Sequence, residues 1–96
     1  MLKKHKLYDC SFINAEYINS EKRQINLEYY LLVNEEKNVF GIEVLKREVN
    51  SLGVENIETE IVDNYNENES VTKRVIGILG ENRVTPVTLT EVLQEI

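Results

Sequence analysis

The chain has 96 residues, of which 42% are hydrophobic and 29% charged, and its formal net charge is −6 at neutral pH. This hydrophobic content is typical of a folded globular chain and excludes intrinsic disorder, while the length suits a single domain with one core. The negative charge disfavours phosphate backbones and anionic lipid head groups, so the sequence predicts neither a nucleic-acid nor a membrane partner.

The cysteine content and the first residues predict where the protein resides. Cys10 is the one cysteine, so no intramolecular disulfide forms and a reducing compartment is favoured. No apolar stretch approaches the roughly 20 residues needed to span a bilayer, and the charged start lacks a following apolar run of signal-peptide length. We therefore expect a cytoplasmic protein.

Residues 1–24 carry scattered apolar side chains with no single period. These are Leu7, Tyr8, Phe12, Ile13, Tyr17 and Ile18. Because neither a helical nor a strand period fits them, we predict an N-terminal arm or strand for this segment.

Residues 25–62 alternate between apolar and polar side chains. Ile25, Leu27, Tyr29, Leu31 and Val33 fall on one face of a strand. The polar run 34–38 has the length of a hairpin loop, the alternation resumes at 39–47, and a turn at 50–53 containing Gly53 precedes a third strand at 54–62. The segment therefore predicts an antiparallel meander.

The C-terminal part has helical periodicity. After a polar loop at 63–68, Ser70 is positioned to cap a helix that ends at Gly80 or Asn82. The apolar positions of this helix are Val71, Val75, Ile78 and Leu79. Pro86 prevents simple continuation, so 83–87 is expected to be extended.

A short last helix is predicted to start at Thr88 or Thr90. Thr88 and Glu91 have capping-box spacing, and the apolar face follows. It consists of Leu89, Val92, Leu93 and Ile96. The order of elements predicts an α+β fold: an antiparallel three- to four-stranded meander sheet followed by two C-terminal helices packed on one face. The single domain 1–96 comprises an arm or strand (1–24), the sheet (25–64) and a helical part (69–96).

The sequence contains segments that resemble known binding or catalytic motifs, but each departs from its motif. The segment Gly77-Ile-Leu-Gly80 has the spelling of a nucleic-acid-binding GXXG loop, but its central residues belong to the predicted core stripe. The loop from Asp63 departs from a calcium-binding loop at its sixth and twelfth positions. His5 and Cys10 have no orienting third group, and Glu58 with Glu60 is typical of a solvated strand face. The sequence predicts no catalytic residue, no metal, no cofactor and no small-molecule ligand.

The second face of the sheet is not uniformly polar. Tyr30, Leu32 and Leu45 point to it in the predicted register, where they are covered either by residues 1–24 or by another chain. We predict an interface at these three residues.

Three short segments carry a family resemblance: Tyr29-Tyr-Leu-Leu32, Phe40-Gly-Ile-Glu43 and Val84-Thr-Pro-Val87. With them, residues 25–96 resemble a family of small uncharacterised proteins, a domain of unknown function, from anaerobic spore-forming bacteria. The resemblance implies a bacterial cytoplasmic protein and brings no catalytic or binding residues with it.

These observations favour a non-enzymatic protein–protein interaction or regulatory module, whose partner is another protein or a second copy in a homodimer. One alternative is an acidic decoy that presents the surface from Glu48 to Glu69 to a nucleic-acid-binding protein. Another is a small enzyme with a pocket of carboxylate and tyrosine side chains.

Overall fold

The computed structural model describes residues 2–15 and 22–96, which form an α+β fold. The strands are β1 (Leu2–Ala15), β2 (Lys22–Asn34), β3 (Val39–Val49) and β4 (Glu55–Asn66), and they are followed by α1 (Glu69–Glu81), a 3₁₀ turn (Pro86–Thr88) and α2 (Leu89–Glu95). Neighbouring strands pair antiparallel in the order β1-β2-β3-β4. The predicted meander with two C-terminal helices is confirmed.

Strand β1 contains a bulge that explains its irregular sequence pattern. Lys6 pairs with Tyr30 and Tyr8 pairs with Tyr29, so Leu7 is an extra residue. One extra residue reverses which side chains face each side of a sheet. Tyr17 and Ile18, which belong to the same prediction, lie outside the described residues.

Strands β2, β3 and β4 follow the predicted alternation through two turns. The loop between β2 and β3 occupies residues 35–38, and Gly53 has a φ of 80° in the turn before β4. Leu27, Tyr29, Ile42 and Val44 are all 0% exposed on one face of the sheet.

The polar segment from Asp63 continues β4 to Asn66, so the prediction of a loop at 63–68 is wrong for its first part. The register shifts around Gly41, and Asn64 adopts a positive φ of 52°, which lets β4 bulge and pair again. A Cβ at Gly41 would lie 2.7 Å from the carbonyl oxygen of Val62, so this crossing needs glycine. Polar residues can extend a strand here because pairing satisfies the backbone.

Helix α1 begins one residue before the predicted cap. Asn68, and not Ser70, is the N-cap, and its side-chain oxygen accepts a 3.0 Å hydrogen bond from the Val71 N–H. The buried side of the helix is turned relative to the predicted stripe and comprises Thr72, Val75, Ile76, Leu79 and Gly80. The last residue of the helix is Glu81, and Asn82, one of the two predicted ends, is its C-cap.

Helix α2 starts after Thr88, but the predicted capping bond is not formed. The Thr88 hydroxyl lies 3.1 Å from the Thr85 hydroxyl and makes no capping hydrogen bond to α2. Leu89 is fully buried, whereas Ile96 at the end of the predicted apolar face is 52% exposed.

The core lies between one face of the sheet and the helical layer. Helix α1 packs on β1 and β2, while the 3₁₀ turn contacts β3 and β4. Tyr29 donates a 2.7 Å hydrogen bond to the carbonyl of Val84, and Gly80 contacts the ring of Tyr8. Among residues 2–15 and 22–96, no helix packs on the opposite face of the sheet.

Candidate interaction surface on the open face of the sheet

The open face is the side of the sheet away from the helices. The strand register places the following residues on it: Lys4 and Lys6 from β1, Asn26, Glu28, Tyr30 and Leu32 from β2, Glu43, Leu45 and Arg47 from β3, and Ile57, Thr59 and Ile61 from β4. Charged and apolar side chains are both present. Their arrangement determines what this face can bind.

Glu28 is the centre of a charged network on the open face. Glu28 is only 4% exposed. One carboxylate oxygen accepts hydrogen bonds from the Tyr30 hydroxyl at 2.5 Å and lies 3.1 Å from the Lys6 ammonium. The other accepts from the Arg47 Nε at 2.7 Å and from the Asn26 amide at 3.2 Å. The buried carboxylate is therefore surrounded by donors.

These donors determine the ionisation of Glu28. Desolvation by burial raises the pKa of the carboxyl, but hydrogen bonds from Tyr30, Arg47 and Lys6 together outweigh it and lower the pKa to about 2. The same contacts raise the pKa of the Lys6 ammonium and of the Arg47 guanidinium. Glu28 is thus an anion throughout the physiological pH range.

Tyr30 lies beside this carboxylate and under a cation. The Lys4 ammonium is 4.0 Å from the centre of the Tyr30 ring, a cation–π contact. Burial raises the pKa of the Tyr30 hydroxyl, and its hydrogen bond to Glu28 raises it further. Tyr30 therefore remains protonated and acts as a donor.

Glu43 forms a second buried carboxylate in the same network. It is 7% exposed, and its oxygens lie 3.1 Å from the Lys4 ammonium. The Thr59 hydroxyl donates a 3.1 Å hydrogen bond from β4. Lys4 thus connects Glu43 with the group around Glu28, because it contacts both Glu43 and the ring of Tyr30.

The network holds the face together but is poorly suited to acid–base chemistry. An anion with a pKa near 2 is a weak base at neutral pH and cannot donate a proton. Its oxygens are also occupied by four donors from this chain. The network therefore compensates the charge of buried carboxylates.

An apolar strip lies next to the network at the β4 side of the open face. We define this strip as Leu45, Ile57 and Ile61. Leu45 is directly opposite Thr59, so it lies diagonally from both isoleucines. Ile57 is 49% exposed and Ile61 47% exposed, while Leu45 is half-buried. The strip offers apolar surface to a partner.

The three residues predicted as an interface share the open face but differ in accessibility. Tyr30 and Leu45 are half-buried, and both lie next to groups described above. Leu32 is 2% exposed and lines a cavity of about 160 Å³ together with Gly41 and Asp63. An interface at these three residues stays a prediction.

Sequence reasoning missed Glu28, Glu43 and the isoleucines of the strip. The signal for Glu28 lies in the hairpin between β2 and β3, whose register places Arg47 opposite Asn26 and hence diagonal to Glu28. Lys4 and Lys6 reach the same face only because the bulge at Leu7 sets their side of β1. That bulge has no clear mark in the sequence.

The residues weighed for chemistry in the sequence do not converge. His5 and Cys10 lie on opposite sides of the bulge in β1, roughly 16 Å apart for five extended residues. Burial raises the pKa of the Cys10 thiol, which disfavours a reactive thiolate. Among residues 2–15 and 22–96, no three His, Cys, Asp or Glu side chains are grouped in a way that could hold a metal ion.

The fold and this surface define an α+β protein with an open antiparallel sheet. Residues 11–96 match a family of unknown function, DUF6514, and the chain belongs to that family. The match starts inside β1, whereas the resemblance in the sequence was confined to residues 25–96. No curated protein and no solved structure matches the chain. Within the part of the chain that the structure describes, no helix has the length and apolar content to cross a membrane.

Proposed function

We propose that this protein is a non-enzymatic, cytoplasmic interaction module that binds another protein through the open face of its sheet. The observation that carries the proposal is the apolar strip, in which Ile57 and Ile61 are each about half exposed next to Leu45. Adjacent exposed apolar side chains on a sheet face are typical of binding surfaces. The single cysteine supports the location in a reducing compartment.

The charged network supports the same proposal, because a partner need not supply charges to compensate the buried carboxylates. Glu28 and Glu43 are already compensated by cations of this chain, so covering them leaves no unpaired charge. A partner gains from burying the isoleucines, while polar groups at the rim provide orientation. A peptide or protein surface with apolar side chains fits this pattern.

The test compares binding by wild type with binding by the double variant Ile57→Thr/Ile61→Thr. Threonine keeps the β-branched shape that suits a strand but removes most of the apolar surface. The tagged chain is used as bait in a lysate of the source organism, and each captured partner is then purified and titrated by calorimetry. We expect the double variant to bind at least about tenfold more weakly.

The matched control is Val54→Thr/Val87→Thr. Val54 is 59% exposed and Val87 79% exposed, and both lie outside the open-face positions of the sheet. The control should bind like wild type. Equal binding by the strip variant and wild type would contradict the proposal, as would a partner lost equally with both double variants.

The acidic decoy remains a second candidate because of the helix side of β4. Glu58 and Glu60 are directly opposite Lys46 and Val44, and neither forms an ion pair within the described residues. Binding to a basic partner through these groups would weaken strongly between low and moderate salt. Affinity that is independent of ionic strength would rule this candidate out.

A further inference from the structure

Both edges of the sheet are long strands, and within the described part of the chain each pairs with a neighbour on one side only. Strand β1 has 14 residues and β4 has 12, and neither contains a proline. An edge strand presents unpaired backbone N–H and C=O groups, which are a template for pairing with another strand. These two edges are therefore the places where the sheet can be extended.

The two edges carry opposite charge. The first half of β1 contains Lys3, Lys4 and Lys6, and the only acidic residue of the whole strand is Asp9. Strand β4 has no cation and four acidic residues, which are Glu55, Glu58, Glu60 and Asp63. Like charges directly opposite each other on neighbouring strands destabilise a pair, and opposite charges stabilise it. Pairing β4 with a second β4 is thus disfavoured, whereas pairing β1 with β4 is favoured.

The strand directions also permit this pairing. Three antiparallel steps separate β1 from β4, so the two strands are antiparallel to each other within one sheet. A second copy in the same orientation then presents its β1 antiparallel to β4 of the first copy. The sheet continues in the same pattern, and the helices of both copies lie on the same side.

Side chains on the helix side of the two edges have matching spacing. Lys3 and His5 are opposite Val33 and Leu31 in the helix-side register of β1, and both are exposed. Glu58 and Glu60 have the same two-residue spacing on the helix side of β4. The surface pair of Lys3 with Glu35, at 2.7 Å, is more than half exposed on both sides and exchanges at little cost.

We propose that the chain self-associates head to tail, with β1 of one copy adding to the β4 edge of the next. The contact is heterologous, so each copy keeps one free edge and the assembly grows beyond a dimer unless its rotation closes a ring. The proposal concerns the edges of the sheet and does not depend on a partner at the open face.

A charge exchange between two variants tests the pairing. Lys3→Glu/His5→Glu makes the helix-side positions of both edges acidic, and Glu58→Lys/Glu60→Lys makes the helix-side positions of both edges basic. Sedimentation velocity over a range of concentrations should show that wild type forms species larger than a dimer. Each variant alone should assemble at least about tenfold more weakly than wild type. An equimolar mixture of the two variants should recover assembly, because every β1 then meets a β4 of opposite charge.

The control makes a similar change of charge away from the edges. Glu91→Lys/Glu95→Lys on α2 should assemble like wild type. A monomeric wild type at high micromolar concentration would overturn the proposal, as would a species that saturates at a dimer or a mixture that fails to assemble. Assembly abolished by Ile57→Thr/Ile61→Thr but unaffected by either charge variant would also overturn it, and would assign self-association to the open face instead.

A measurement on the wild-type chain guards against misfolding of the variants. A carbodiimide joins amines directly to contacting carboxylates, and we expect it to link lysines of β1 to Glu58 or Glu60. Mixing isotopically heavy and light protein identifies the links that join two copies. A direct link from β1 to β4 within one copy is excluded, because the two edges of one sheet lie about 14 Å apart across three strand spacings. Links that join β1 to β4 between copies support the proposal, and their absence in cross-linked oligomers contradicts it.

Discussion

The two faces of the sheet are both largely buried near its centre, but by different means. On the helix side, Leu27 and Tyr29 are 0% exposed beneath a packed layer of apolar side chains. On the open side, Glu28 lies between them in sequence and is 4% exposed beneath the side chains of Lys6, Tyr30 and Arg47. Long polar side chains can therefore shield a sheet face without a second layer of secondary structure.

The difference teaches where the stability of this fold resides. Apolar burial is favourable at about 25 cal/mol per Å², whereas a buried ion pair roughly balances its desolvation cost. The helix side should therefore carry most of the folding free energy. The open side should mainly select one register, because only the observed pairing brings the cations to Glu28 and Glu43.

The largest expected effect compares equivalent leucines on the two faces. Leu27 is directly opposite Lys46, and Leu45 is directly opposite Glu28 on the same pair of strands. Leu27→Ala removes fully buried methyl groups and should lower the free energy of unfolding by about 2–5 kcal/mol. Leu45→Ala, at a half-buried site, should lower it by about 1 kcal/mol. Urea denaturation measures both, and equal losses would contradict the difference between the faces.

The next effect concerns the buried anion. Glu28→Gln keeps the shape of the side chain but removes the closest charge partner of Lys6 and of Arg47. We therefore expect a loss on the order of 3 kcal/mol at neutral pH. The control is Glu35→Gln, which removes the exposed partner of Lys3 and should change stability very little. Similar behaviour of the two variants would show that Glu28 contributes no more than a surface charge.

The pH dependence of this difference gives a second check. The pKa of Glu28 is about 2 in the fold, below the ordinary value of 4.5. A lowered folded-state pKa means that the ionised form stabilises the fold above pH 4.5 and that this contribution is lost as the pH falls toward 2. The gap in unfolding free energy between wild type and Glu28→Gln should be constant near neutral pH and shrink over that window. A gap that does not change between pH 4.5 and 2 would contradict the assignment.

The sequence predicts the central sheet well because alternation and loop length act locally. The run from Ile25 to Val33 and the polar segment at 34–38 together determine the hairpin of β2 and β3. Since the register follows from the turn, the side of the sheet occupied by Tyr30 and Leu45 is also predictable. The alternation also groups Ile57 with Ile61 on one face of β4, but it does not identify them as exposed beside Leu45.

The sequence predicts the structure less well where one extra residue in a strand shifts the alternation of its side chains. The bulge at Leu7 moves Lys4 and Lys6 to the open face and Tyr8 to the core, so no single period describes β1. The bulge at Asn64 likewise lets β4 continue through polar residues. The burial of Glu28 follows from cations contributed by two other strands, and such a long-range cluster leaves no local pattern.

The smallest expected effect compares two glycines of α1 that lie on different sides of the helix. Gly80 contacts the ring of Tyr8, so a methyl group there must displace that ring. Beyond its own turn of helix, a methyl group at Gly77 meets nothing within 4 Å. Gly80→Ala should lower the free energy of unfolding by about 1–3 kcal/mol through overpacking. Gly77→Ala should raise it by about 0.5–1 kcal/mol, because alanine favours a helix more than glycine does. Thermal unfolding of both variants measures the signs, and a stabilising Gly80→Ala would mean that α1 does not approach β1 as closely as this contact requires.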